Sequence, residues 1–187
     1  NLENSLTHVN GVAYDASKEV LYIADTGNNR IMVYDLSGTI SNGMVASGVI
    51  GQSGFSQVAA NRGGAVGNNT LSQPSGLSID PVNHKLYVAD TGNNRVLKYD
   101  LGSSVPLTAE DVFGQSDFVS AVQDVGHMHN PEDMVFDSST QRLWVTDTGN
   151  NRVVSFITTG APASHSPEYV LGQATLLTNT SGTTATT

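Results

Sequence analysis

Two sets of residues in this chain have the types and spacing for chemistry. The first is Asp-Thr-Gly-Asn-Asn-Arg, present three times, at Asp25 to Arg30, Asp90 to Arg95 and Asp147 to Arg152. An Asp and an Arg this close can clamp one another, a planar guanidinium fork on a carboxylate or on nearby carbonyls. Left unpaired, the same three carboxylates would be a ring of cation ligands. Identity in every copy favours the clamp, because a ligand site breaks the symmetry of a repeat. The second set occurs once: His127-Met128-His129, followed by Glu132 and Asp133. Imidazole and carboxylate together suit a divalent cation or a polar ligand. The two His reach one metal only where the loop brings both rings to it.

Other catalytic groupings are absent. The chain has no Gly-x-Ser-x-Gly, no His-Glu-x-x-His, no glycine-rich phosphate loop followed by Lys, and no Cys to serve as nucleophile or thiolate ligand. Gly-Gln-Ser at 51–53 and 114–116 recurs in step with the repeat, which makes its Ser a turn residue. Trp144 occupies the place of Tyr22 and Tyr87 and reads as packing.

The elements that position these residues repeat with them. Each hexapeptide lies between two short apolar runs, such as Leu86-Tyr87-Val88-Ala89 and Val96-Leu97-Lys98-Tyr99, and reads as the turn of a hairpin. Gly, Asn and Asn supply residues that tolerate positive φ, and the Asp side chain is placed to accept N–H bonds from the turn. Upstream is an alternating segment ending in Asp (Gly11 to Asp15, Gly76 to Asp80, Asp133 to Asp137). Downstream is Val-Ile-Gly-Gln, Val-Phe-Gly-Gln or Val-Leu-Gly-Gln, ending at Gln52, Gln115 and Gln173. The unit is therefore four short strands. Three units span about 8–52, 73–115 and 130–173, within a folded region of 1–175, and 176–187 reads as a Thr-, Ser- and Gly-rich linker or truncated end. The connections 53–72 and 116–129 open with Ser-x-Phe, whose Phe55 and Phe118 are placed to pin them to the sheet; the first is expected to be an irregular surface loop.

Antiparallel four-stranded units at this spacing, 65 residues from Asp25 to Asp90 and 57 from Asp90 to Asp147, predict an all-β fold of β-propeller blades with the first strand lining the channel. Three blades cannot close a ring. Further chain, a second copy pairing three with three, or a fragment of a longer polypeptide are the ways to complete it. The open faces of units one and three predict self-association or a protein partner.

Composition narrows the partners. The net charge of −9, from 17 acidic residues against 8 Lys and Arg, argues against nucleic acid. No run nears the roughly 20 apolar residues of a membrane span, and Asn1-Leu2-Glu3-Asn4 has no signal-peptide character, as in a mature, trimmed or cytosolic chain. A charged content of 13%, abundant Gly, Ser, Thr and Asn, and the Thr-rich tail 179–187 point to an exported protein, extracellular or periplasmic, while the absence of Cys does not settle the compartment.

Leu86 to Leu97 with Pro74 to Asp80 resembles the NHL repeat, and the Gly-Gln-Ser-x-Phe element is similar to a version common in bacterial NHL proteins. The resemblance covers the chain up to Gln173 and implies a propeller, usually six-bladed, of which this would be half. Such propellers usually serve as interaction modules. The family also holds ligand sensors, RNA-binding domains and a few enzymes, which leaves a second reading: a metal-dependent lyase or lactonase-like hydrolase with its site at the channel mouth. Zinc-dependent lyases of the group use three His positions around the channel; the matching segments here offer His8 and the His127/His129 pair, which falls short. The strands that would line the channel carry Val12, Ala13, Leu77, Ser78, Met134 and Val135, which favours a non-enzymatic scaffold with no cofactor beyond a possible divalent cation.

A site is then sought where the units differ. The segments leading into the first strand are Thr7-His8-Val9-Asn10-Gly11, Ser72-Gln73-Pro74-Ser75-Gly76 and His129-Asn130-Pro131-Glu132-Asp133. His127, His129, Glu132 and Asp133, with His8 and Gln73 as neighbours round the mouth, are the candidate ligand-binding cluster. Asp25, Arg30, Asp90, Arg95, Asp147 and Arg152 are the structural turn motif.

Overall fold

The alternation of β-branched, aromatic and small residues gives each unit strands whose two faces are both apolar, which suits a sheet packed on both sides. In the computed structural model, which describes residues 5–102, 105–160 and 166–181, these strands form three separate antiparallel sheets of four. Blade one is β1 (Val9–Asp15), β2 (Val20–Asp25), β3 (Arg30–Asp35) and β4 (Gly48–Ile50). Blade two is β5 (Pro74–Asp80), β6 (Lys85–Asp90), β7 (Arg95–Asp100) and β8 (Asp111–Phe113). Blade three is β9 (Pro131–Asp137), β10 (Arg142–Asp147), β11 (Arg152–Ile157) and β12 (Tyr169–Leu171). The first strands β1, β5 and β9 lie side by side, and each is irregular in register two or three residues from its start.

The core lies between blades. Tyr22, Ala24, Ile31 and Val33 of blade one pack on Leu77, Leu86, Val88, Leu97 and Tyr99 of blade two. The opposite face of blade two, with Tyr87, Ala89, Val96 and Phe113, packs on Met134, Leu143, Val145, Val154 and Phe156 of blade three. Tyr87 stacks on Phe136 at 5.4 Å, and Phe113 meets Phe156 edge-on at 5.6 Å, so aromatic rings carry the second seam. Among the described residues, the outward faces of blades one and three have no blade beside them. Val12 and Val135 are each 61% exposed.

The connection 53–72 is less irregular than its composition predicts. It makes one 3-10 turn at Ala60–Gly63, with Asn61 and Arg62 in left-handed backbone, and its Leu71 is fully buried. Phe55 and Phe118 are half-buried against the cores, as expected of pins. The segment from 176 is described only to Ser181; the rest of the expected linker lies outside the described residues. As far as Thr180 it is bound to blade three rather than loose: Asn151 Nδ2 donates to the Asn179 carbonyl and Gln173 Nε2 to that of Thr180.

Candidate functional site

The hexapeptide is one 3-10 turn of Thr-Gly-Asn followed by an Asn in left-handed backbone (Asn29, Asn94, Asn151; φ 54°, 56° and 52°). Only this second Asn uses positive φ, so the expectation that Gly and the first Asn share it is corrected. Gly is required by proximity. Gly27, Gly92 and Gly149 donate their N–H to the carbonyls of Thr7, Ser72 and His129 at 2.9, 2.9 and 2.8 Å, and a Cβ there would press on the same lead-in residue.

The Asp accepts from further away than its own turn. Arg30, Arg95 and Arg152 donate Nε to Asp25, Asp90 and Asp147 at 2.7, 2.7 and 2.6 Å, with both partners of each pair buried. The other carboxylate oxygen accepts the backbone N–H of Thr7, Ser72 or His129, each at 2.7 Å, and the first Asn (Asn28, Asn93, Asn150) donates its amide to the same carboxylate. The rest of each guanidinium reaches backbone carbonyls: Phe55, Phe118 or Leu176 from one nitrogen, and Ser5, Gly67 or His127 from the other. Burial pushes the Asp90 carboxyl upward, against the Arg95 charge and the donors of Ser72 and Asn93. Each buried charge is thus paired and hydrogen-bonded, the condition under which a buried ion pair is tolerated. The carboxylates do not form a free ring for a cation.

A residue class missed in the sequence completes the frame. Gln52, Gln115 and Gln173 donate Nε2 to the carbonyls of Asn29, Asn94 and Asn151, and again to those of Ala59, Val122 and Thr180. Their recurrence after the fourth strand was the available signal.

The six candidate mouth residues sit at the same end of the blades as these turns, because the lead-ins are bound to the turns. His8, Gln73, Glu132 and Asp133 are exposed, and His127 and His129 half-buried. His8 and Gln73 are equivalent positions and share left-handed backbone, φ 50° and 49°; the third member of that set is Asn130, φ 48°, not His129. His129 corresponds to Thr7 and Ser72, with its ring over Gly149. Met128 is 1% exposed under Gly114, as Leu71 lies under Gly51, and it anchors the segment that carries both His residues. The His127 ring engages Asp124, Nδ1 to Oδ1 2.7 Å, on its own loop. Among the described residues, no group of three or more His, Cys, Asp and Glu is placed to hold a metal ion, and no helix is long and apolar enough to cross a membrane.

Comparisons with known proteins bear on this frame. The profile of the NHL repeat matches residues 71–99 and 128–156. NHL repeat-containing protein 2 of Gallus gallus is 32% identical over 104 residues, 54% of this chain and 13% of that protein. The same protein of Homo sapiens is 33% identical over 51% of this chain and 12% of its own length. Protein SUPPRESSOR OF QUENCHING 1, chloroplastic, of Arabidopsis thaliana is 27% identical over 78% of this chain and 14% of its own. The chain therefore spans between 12 and 14% of these curated relatives. Among solved structures, the RRP9 WD40 repeats superpose with a TM-score of 0.60 at 12% identity, over 92% of this chain and 41% of that one. The β-propeller domain of Myceliophteria thermophila Cps50 (Swd1) gives 0.55 at 11% identity, over 89% and 38%; these two likenesses speak for the fold alone. With the repeated clamp, the register of the four-stranded blades and the matched profile together, the chain carries NHL repeats at residues 71–99 and 128–156.

Proposed function

We propose that the chain is a non-enzymatic interaction module, part of a six-bladed propeller, that holds a protein partner at the end where lead-ins and hexapeptide turns meet. One observation carries this. The lead-in backbone is fixed to buried carboxylates by the N–H bonds of Thr7, Ser72 and His129, while His8, Gln73, Glu132 and Asp133 stay exposed on it. Variable side chains on an invariant, rigid frame suit recognition, since little entropy remains to be lost on binding.

The partner surface is protein with basic side chains facing Glu132 and Asp133, and the net charge of −9 favours such a partner over nucleic acid. We place the protein outside the cytosol, in an exported bacterial setting, on its weakly charged composition rich in Gly, Ser, Thr and Asn.

The test is site-specific photocrosslinking in the source cells. A photoreactive residue at Gln73 should capture one discrete partner and one at Asn83, in the β5–β6 turn at the opposite end, should not. Replacing Glu132 and Asp133 by Lys should abolish the adduct. Equal capture from both ends, or an adduct indifferent to the charge reversal, would overturn the assignment. Fractionation of the same cells places the protein inside or outside the cytosol.

A further inference from the structure

Two bonds of the hexapeptide run between blades, and blade three leaves both unmade. Asn29 Oδ1 accepts the Gln73 N–H at 2.8 Å, and Asn94 Oδ1 accepts that of Asn130 at 3.0 Å. Thr26 and Thr91 donate their hydroxyls to the carbonyls of Pro74 and Pro131, both at 2.6 Å. In blade three Thr148 and Asn151 are exposed, and neither the Thr148 hydroxyl nor Asn151 Oδ1 meets a partner among the described residues.

Blade one presents the complement. His8 stands where Gln73 and Asn130 stand and already has their left-handed backbone, and its N–H donates to nothing among the described residues. Val9 stands where Pro74 and Pro131 offer their carbonyls. The apolar faces behind these groups match as well. Blade three exposes Val135, Tyr169 and Leu171 beside a half-buried Trp144, and blade one exposes Val12 and Tyr14. In blade two the positions of Val12 and Leu171 are Leu77 and Phe113, 8% and 0% exposed. Covering such surface is favourable in proportion to its area.

We propose that the open face of blade three takes the open face of blade one from a second copy of this chain, the His8 N–H meeting Asn151 and Thr148 meeting the Val9 carbonyl. Each copy supplies both faces, so two copies close one ring through two equivalent seams. This surface adjoins the mouth through His8 and Asp133, but its readout is association of the chain with itself and does not depend on what binds at the mouth.

One residue resists the seating. Gly11 and Gly76 let neighbouring first strands approach so closely that a Cβ on Gly11 would overlap the Ser75 carbonyl oxygen, and one on Gly76 would lie 2.6 Å from that of Glu132. Asp133 holds this position in blade three. The seam between copies is therefore wider at its inner strands than the two within the chain.

Sedimentation equilibrium of the whole chain, from about micromolar to about 100 micromolar, tests this. Twice the chain mass is expected at the upper end. Thr148→Val, which removes one bond from each of the two seams, should raise the dissociation constant at least about tenfold without moving the unfolding curve at low concentration. Asp133→Gly should lower that constant. A monomer throughout, open-ended growth with concentration, or a dimer indifferent to both variants would overturn the proposal.

Discussion

Blades two and three carry the same hexapeptide, yet it does two tasks in one and a single task in the other. In both, Asp, the first Asn and Arg tie the turn to its own lead-in and connection. In blade two, Thr91 and Asn94 also latch the next blade, and Asn94 is 1% exposed; in blade three the matching Thr148 and Asn151 are exposed. The difference separates a clamp, complete within every blade, from a latch that needs a neighbour. It also separates a strand that must be Gly, at Gly76, from one that need not be, at Asp133.

The comparison breaks most readily at the clamp. Arg95→Ala should cost about 3–5 kcal/mol, since it leaves Asp90 charged and buried without its partner. Urea unfolding followed by circular dichroism measures it, and a loss under about 1 kcal/mol would show that the pair is dispensable. Next comes the inner strand. Gly76→Ala should destabilise by about 1–3 kcal/mol, because the methyl meets the backbone of β9, whereas Asp133→Ala should stay within about 0.5 kcal/mol. Equal effects would remove the distinction between closed and open faces.

The latch is smaller. Thr91→Val should cost about 1 kcal/mol and Thr148→Val almost nothing in the monomer, again by urea titration.

The smallest effect is in acid. At the end away from the clamps, the hydroxyls of Ser139 and Thr140 pull the half-buried Asp137 carboxyl down to about 2. Burial works to raise Asp15, but the hydroxyl and N–H of Ser17 with His84 outweigh it and leave it below its usual value. Carboxyls depressed in the folded state contribute stability that is whole above the unfolded value of about 3.9 and is lost as pH falls through the folded one. Thermal melting between about pH 4 and pH 2 should show this loss, and Asp137→Asn should remove part of it. A melting temperature flat across that window would show that these turns add nothing.

Much of the frame was legible because it is written three times. The four-strand unit and the role of the hexapeptide as a hairpin turn both follow from phase and alternation. The site was harder to read. His127-Met128-His129 looked like chemistry, but Met128 is an anchor in the core and His129 a register partner of Thr7 and Ser72. Nothing in the local pattern distinguishes a Met flanked by His as anchor from a loop with ligands, since the distinction lies in what Gly114 leaves room for.

What the sequence determined by itself was therefore local and periodic: strands, turns, the Asp–Arg pairing and the count of blades. Pairing across five residues of one tight turn needs no distant partner, and repetition marks it as scaffold. Only the tertiary structure decided where each turn's remaining bonds go. The 18-residue reach from Asp25 to Thr7 and the 44-residue reach from Asn29 to Gln73 exist only once lead-ins and neighbouring blades are set side by side. Hydrogen-bond geometry between blades is fixed by how their sheets stack, and stacking is a property of the assembled core that no single repeat contains.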